Sequence, residues 1–379
     1  MTPRRHYVFL GLTITSTWGN GHATTYRALL KELAARGHRV TFLERETPWY
    51  AANREFDSLP YCRVELYEDL EELDDCFAQT VREADAAVVG SYVPDGIAVG
   101  DWVRSLRKHS AAFYDIDTPV TLSALNKREC AYLSPEQVSR YDLYFSFTGG
   151  PTLAYIENVL GSPCARALYC SVDPSFYYPE QQDVLWDLGY LGTHAADRQP
   201  ALNVLLLKVA ERLPVRNFAI AGPQYPKEIQ WPENVTRIEH LPAREHRAFY
   251  GSQRFTLNIT RQDMVRAGYS PSVRLFEAAA CGTPILSDEW PGLEQFFLPG
   301  REITLVRSTQ EVLHSLQMPE EQRREIAERA RCRTLRFHTA AVRAAEFEYY
   351  VEASLSRSHT SNGWGMVAGN TQSAAVLGN

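Results

Sequence analysis

The chain has no Cys-x-x-Cys pair, no apolar run of membrane-spanning length and no excess of positive charge. Its seven cysteines, Cys62, Cys76, Cys130, Cys164, Cys170, Cys281 and Cys332, are odd in number and mostly far apart. That spacing suits neither a disulfide framework nor a zinc site, so a reducing, cytoplasmic setting is expected. A spanning helix needs about 20 consecutive apolar residues, so no integral membrane segment is expected. Acidic residues number 46 against 39 basic ones, a formal net charge of −7. This balance argues against general attraction to nucleic acid or to anionic membrane. Disorder and collagen-like repeats are excluded as well, because hydrophobic residues make up 45% and charged residues 22%. A length of 379 residues suggests two domains, each large enough to bury a core.

What the sequence does contain is alternation. Residues 7–14 read as a buried first strand; a signal peptide would need a longer apolar stretch and a small-residue cleavage pattern. Tyr26, Leu29, Leu30 and Leu33 then recur at helical spacing until Gly37-His38, and residues 39–43 begin a second strand. Residues 86–90, 111–116 and 143–147 continue the series. A second cycle opens with a strand ending at residues 189–193. It continues through a helix on Leu202, Leu205, Leu206 and Val209, then strands at 217–221, 255–259 and 284–287. Such repetition predicts parallel sheets covered by helices on both faces, in two halves with a cleft between them. Ligands in these sheets bind beyond the carboxyl ends of the strands. The expected divisions are a first half at 1–172, a linker at 173–182 and a second half at 183–337. A helix at 338–356 is expected to cross back to the first half, with a flexible tail at 357–379. The arginine-rich stretch before the tail reads as a solvated helical face balanced by its glutamates.

The most informative stretch runs from Gly268-Tyr269-Ser270-Pro271-Ser272 to Arg274 and Glu277. Ser270 as N-cap and Pro271 at the first helical position predict a helix start, whose free N–H groups form an anion site. Arg274 and Glu277 share a helix face at that spacing. A cation beside a diphosphate and a carboxylate beside a ribose diol would suit them; so would a simple internal salt bridge.

Arg274-Leu275-Phe276-Glu277-Ala278-Ala279-Ala280-Cys281-Gly282-Thr283-Pro284, with Ser287-Asp288 and Pro291-Gly292-Leu293-Glu294, resembles the nucleotide-sugar signature of group 1 glycosyltransferases of the GT-B fold. The similarity is closest to the spore-maturation-type branch. It implies two Rossmann-like domains facing across a cleft, with a nucleotide sugar as co-substrate, no further cofactor and no metal. A uridine diphosphate sugar is the expectation from its frequency in such folds. Glu277 falls on the second glutamate of the family's E-x7-E pattern, which contacts the ribose. Tyr269 stands where the first would be, so this chain departs from the pattern. Gly268, Tyr269, Ser270 and Ser272 are expected to offer groups to the distal phosphate or sugar. Arg261, just after the 255–259 strand, is placed to neutralise the departing diphosphate. Gly192, Thr193, Gly222 and Pro223 come after donor-half strands and are expected in the cleft.

In the first half, Gly19-Asn20-Gly21-His22 lies between a strand and its helix, where small residues allow close approach to a ligand. His22 is either the general base, as in several inverting members of the family, or a residue that merely caps the helix. The full Gly-x-Gly-x-x-Gly pattern is absent, which argues against dinucleotide binding. Asp115 and Asp117 end a strand and share a face if the strand persists. Either could act as base or orient His22; alternatively Asp117 caps the Thr118-Pro119 turn. Asp-x-Asp suggests a metal in the other glycosyltransferase fold, which needs a different topology. A sugar-nucleotide epimerase and a non-catalytic nucleotide-sugar-binding protein are the alternative functions.

Overall fold

The computed structural model describes residues 3–18, 22–106 and 110–363, with side chains as far as Arg357. Seven strands form the first sheet: β1 His6–Gly11, β2 Arg39–Arg45, β3 Arg63–Tyr67, β4 Ala86–Gly90, β5 Ser110–Asp115, β6 Leu143–Ser146 and β7 Ala165–Ala167. They are all parallel and lie in the order β3-β2-β1-β4-β5-β6-β7. The second sheet holds β8 Trp186–Leu191, β9 Phe218–Ala221, β10 Val235–Ile238, β11 Gln253–Asn258, β12 Ile285–Ser287 and β13 Thr304–Leu305. Its order, β10-β9-β8-β11-β12-β13, repeats that of the first and is again all parallel. These are two Rossmann-like units, each with the reversal of strand order that opens a crevice at its carboxyl edge.

Burial explains the sheets. Every residue of β1, β4 and β5 is buried, as expected of parallel strands covered on both faces. On one face Tyr7, Phe9, Phe42, Val88 and Tyr114 pack with helix His22–Ala35 and the C-terminal helix Ala340–Gly363. On the other, Val8, Leu10, Val89 and Phe113 meet Leu73, Phe77, Val99 and Val103 of helices Leu70–Glu83 and Gly96–Leu106. The first strand stops at Gly11, short of the expected residue 14. Instead of continuing the ladder, Ile14 donates its N–H to the Glu44 carboxylate at 2.8 Å.

The charged stretch near the C-terminus is two helices. Glu320–Phe337 ends at His338-Thr339, and Ala340–Gly363 comes next. Several of its arginines pair with nearby glutamates, such as Arg324 with Glu320 and Arg331 with Glu328. The last helix lies on the first half. Glu348 takes His38 at 2.6 Å and Arg36 at 2.6 Å, Glu352 takes Arg5 at 2.8 Å, and Phe347 meets Tyr7 edge-on. It runs past 356 to Gly363, so the expected tail boundary is too early; residues 364–379 lie outside the described part. Where the chain passes between halves, the two crossings bond to each other. Val172 N–H donates to the His338 carbonyl at 3.1 Å, and Ala340 N–H to the Val172 carbonyl at 2.9 Å. All seven cysteines are free.

Candidate active site in the cleft between the two sheets

A cleft of about 550 Å³ separates the two carboxyl edges. From the first sheet it is lined by Leu12 and Thr17 after β1, Tyr92 after β4, Ile116 and Asp117 after β5, and Phe147 after β6. From the second come Gly192 and Thr193 after β8, Gly222 and Pro223 after β9, His240 after β10, and Thr260 and Arg261 after β11. Ser272, Arg274 and Glu277 at the start of helix Val273–Ala280 complete that wall.

The residues of this second wall have distinct partners. Helix Val273–Ala280 takes Ser272 as its N-cap, two residues later than the expected Ser270. Ser270 is buried, and its hydroxyl accepts from Thr148 Oγ1 at 2.9 Å across the halves. Tyr269 N–H is taken by the Pro291 carbonyl at 2.7 Å and Gly268 N–H by the Met264 carbonyl at 2.9 Å. Those two donors therefore do not face a phosphate, and Gly268, Tyr269 and Ser270 stay out of the cleft lining. Tyr269 adopts a left-handed backbone (φ 49°), and its ring fills a slot between Gly150 and Gly292. A Cβ at either glycine would stand 2.3 Å from the ring. The helix start, and with it the expected anion site, moves forward to the Ser272 end, where the Ser272 side chain makes no capping bond.

Arg274 and Glu277 do not form the internal salt bridge. The Arg274 guanidinium donates to the Asn258 side chain at 2.9 Å and to the Leu191 carbonyl, and sits over the Tyr190 ring. Glu277 accepts from Tyr250 Oη at 3.2 Å and from Thr24 Oγ1, on the opposite half, at 3.4 Å. Gly222 (φ 138°) brings its loop against the Gly192 carbonyl, which a Cβ would meet at 2.1 Å, so glycine is required there. Arg261 is held by its strand end: Asp288 takes the preceding residue, Thr260, through both N–H and hydroxyl at 2.9 Å.

On the opposite wall, Asp115 and Asp117 part company. The strand ends at Asp115, so the shared face is lost. Asp115 is fully buried and accepts from Tyr144 Oη at 2.5 Å and Thr121 Oγ1 at 2.7 Å. Burial pushes its carboxyl up to about 6, against those hydrogen bonds. It is an internal support that does not line the cleft. Asp117 does line it, accepting from Tyr92 Oη at 2.8 Å and from Arg261 Nη1 at 3.3 Å. It stands at the N-cap of helix Thr118–Lys127, yet its side chain makes no capping bond. Its second oxygen is buried without a hydrogen-bond partner among the described residues. His22 opens helix His22–Ala35, lines the cleft and lies against Phe147. Burial lowers its pKa; Asp117 works against that and Arg261 with it. Gly19, Asn20 and Gly21 lie outside the described residues.

The structure thus brings His22, Asp117, Arg261, Ser272, Arg274 and Glu277 to one cleft and sets Asp115 and residues 268–270 apart from it. Sequence reasoning missed Tyr92, Arg198, His194, His240 and His246, which also line it. Tyr92 and His194 come within three residues of the ends of expected strands, so the strand-end rule itself would have found them. Among the described residues no group of three or more His, Cys, Asp and Glu is arranged to hold a metal ion. No helix among them is long and apolar enough to cross a membrane.

Residues 198–349 match the family described as glycosyl transferase-like. The match spans most of the second half and part of the C-terminal helices, and the activity it supports is glycosyl transfer. No curated protein sequence matches the chain. Among solved structures, the fold is similar to sucrose-phosphate synthase from Thermosynechococcus elongatus (TM-score 0.68, 14% identity, covering 93% of this chain and 100% of that one). It is also similar to Anabaena HepE in complex with UDP and glucose (TM-score 0.66, 11% identity, 92% and 100%). An alpha-glucosyltransferase in complex with UDP-glucose and DNA containing an abasic site is alike as well (TM-score 0.67, 14% identity, 92% and 99%). The architecture is GT-B.

Proposed function

We propose that the protein is a cytoplasmic glycosyltransferase of the spore-maturation-type branch. It moves a sugar from a nucleoside diphosphate, UDP in the first instance, to an acceptor hydroxyl without a bound metal. The observation that carries this reading is the pairing of chemistries across one cleft. A helix N-terminus, Arg261 and a buried carboxylate, Glu277, form the donor wall; His22 and Asp117 stand on the other. Structural neighbours crystallised with UDP or UDP-glucose support the choice of nucleotide.

In this reading residues 1–172 bind the acceptor and 183–337 the donor, with 173–182 as linker. Glu277 receives the ribose diol. The N–H groups at Ser272 and the Arg261 guanidinium receive the diphosphate. As the bond from the anomeric carbon to the diphosphate oxygen breaks, negative charge grows where those donors are already fixed, the arrangement that lowers such barriers most. The acceptor oxygen bonds to the anomeric carbon and its proton passes to His22 Nδ1 or Nε2. Burial keeps that imidazole neutral near pH 7, as a base must be. Asp117 stabilises the imidazolium that forms and holds Arg261 in place. The acceptor is a small molecule, glycan or protein; one neighbour is seen with DNA, but a net charge of −7 does not suit a polyanion.

Calorimetric titration with UDP tests the donor site, and sugar release from UDP-glucose tests turnover. Arg261→Ala and Glu277→Ala are each expected to lower turnover by about 10²-fold or more, the scale of a lost transition-state donor. Absence of UDP binding, or full activity in both variants, defeats the reading.

A further inference from the structure

Behind the cleft, Glu44 at the end of β2 is a carboxylate with 1% exposure and no role in the chemistry above. A lone buried charge is costly unless its oxygens are filled. Four donors fill these, and all come from one short stretch: Thr13 Oγ1 at 2.6 Å, Ile14 N–H at 2.8 Å, Thr15 Oγ1 at 2.7 Å and Thr15 N–H at 3.2 Å. The stretch is the turn that leaves β1 towards the cleft. Its far side is held too. The Ile14 carbonyl accepts from Arg27 Nε at 2.6 Å, and Arg27 Nη1 pairs with Glu55 at 3.0 Å. Glu55 in turn takes Thr17 through N–H at 3.1 Å and through its hydroxyl. Arg27 belongs to helix His22–Ala35, whose first residue is His22.

We propose that Glu44 is a positioning residue for His22. Its carboxylate fixes residues 13–15, the Ile14 carbonyl fixes Arg27, and Arg27 sets where the helix, and so the imidazole, stands in the cleft. The proposal rests on the catalytic reading only for what His22 does, not for where it sits. Glutamate is needed because one side chain must accept four bonds; glutamine would point an N–H at donors already there. Within the cleft the charged groups facing His22 are Asp117 and Arg261, with the Phe147 ring alongside.

The test tracks the His22 ring proton by NMR against pH in the full chain, with circular dichroism and thermal melting as controls. In the wild type its midpoint should lie below the ordinary histidine value of about 6.5. In Glu44→Gln the midpoint should move towards that value, and UDP-glucose hydrolysis should fall by about 100-fold, the cost of a misplacement near 1 Å. UDP affinity should change far less, because Arg261 and Ser272 are untouched and only the Thr24 bond to Glu277 involves that helix. Should Glu44→Gln not fold, Thr15→Val removes one of the four donors alone and should move the midpoint the same way, by less. Glu44→Asp should recover part of the shift. An unmoved His22 midpoint in a folded Glu44→Gln or Thr15→Val protein overturns the proposal. A wild type that binds no UDP overturns the catalytic reading instead and leaves the NMR result to stand by itself.

Discussion

Both halves of the molecule run their first six strands in the same spatial order and turn the carboxyl ends to the same cleft. The side chains they present there differ in sign. Behind β11 and at the start of helix Val273–Ala280, the second half offers Arg261, Arg274 and the helix N-terminus, with Glu277 recessed among Tyr250 and Thr24. Behind β1, β4 and β5, the first half offers Asp117, the Tyr92 phenol and an imidazole whose pKa burial lowers. In the proposed reading, one topology serves either to hold an anion or to take up a proton, depending on the side chains just past each strand end. The positive charge that an anionic donor needs is then gathered on one wall of a chain whose net charge is −7.

The sharpest way to break this division is His22→Ala. It should lower turnover at pH 7 by about 10²–10⁴-fold, the contribution of a general base, while UDP affinity by calorimetry is unchanged. The lowered pKa of His22 sets the sign of the pH dependence. The working form is neutral, so activity should be full at pH 7 and fall only below the ordinary histidine range of about 6.5. An acid limb lying above that range would count against His22. A variant that loses UDP binding as well would mean that the two walls are not separate in function.

A smaller contrast lies within the first half. Asp117→Asn should cost about 10²-fold in turnover, because it uncouples both Arg261 and the imidazolium. Asp115→Asn should leave turnover close to wild type, since Asp115 meets only internal hydroxyls and the Asp117 N–H. Equal losses in kcat for the two variants would erase the distinction between them. Smallest is the contact between the halves themselves. Thr148→Val removes the hydrogen bond to Ser270 and should cost about 1 kcal/mol, read as a lowered denaturation midpoint.

Much of this arrangement could be read from the residues. Strands 86–90, 39–43 and 284–287 end within two residues of their expected limits because apolar runs bounded by turn formers leave little choice. Edge strands are harder to read. β3 and β10 have one neighbour each and a single buried residue apiece, so neither carries the continuous apolar run that marks the inner strands. β13 is two residues long. In the site, Arg261, Glu277 and His22 are legible because each comes after a strand or near the opening of a helix. The fates of Asp115 and of residues 268–270 are not, because they depend on distant partners. Tyr144 and Thr121 draw Asp115 inwards, and Pro291, Gly149 and Thr148 consume the groups that residues 269–270 would have offered. Glu44 is invisible for the same reason: its four donors lie about thirty residues upstream.

The bonded crossings at Val172 and residues 338–340 have a mechanical meaning. Two separate tethers would let the halves slide, twist and swing past each other. Tied into one strip, they join the halves along a common line, like the spine of a book. Arg261 and Asp117 sit on facing pages, and their ion pair bridges the space between. Widening the cleft and separating that cation from its carboxylate are then the same movement.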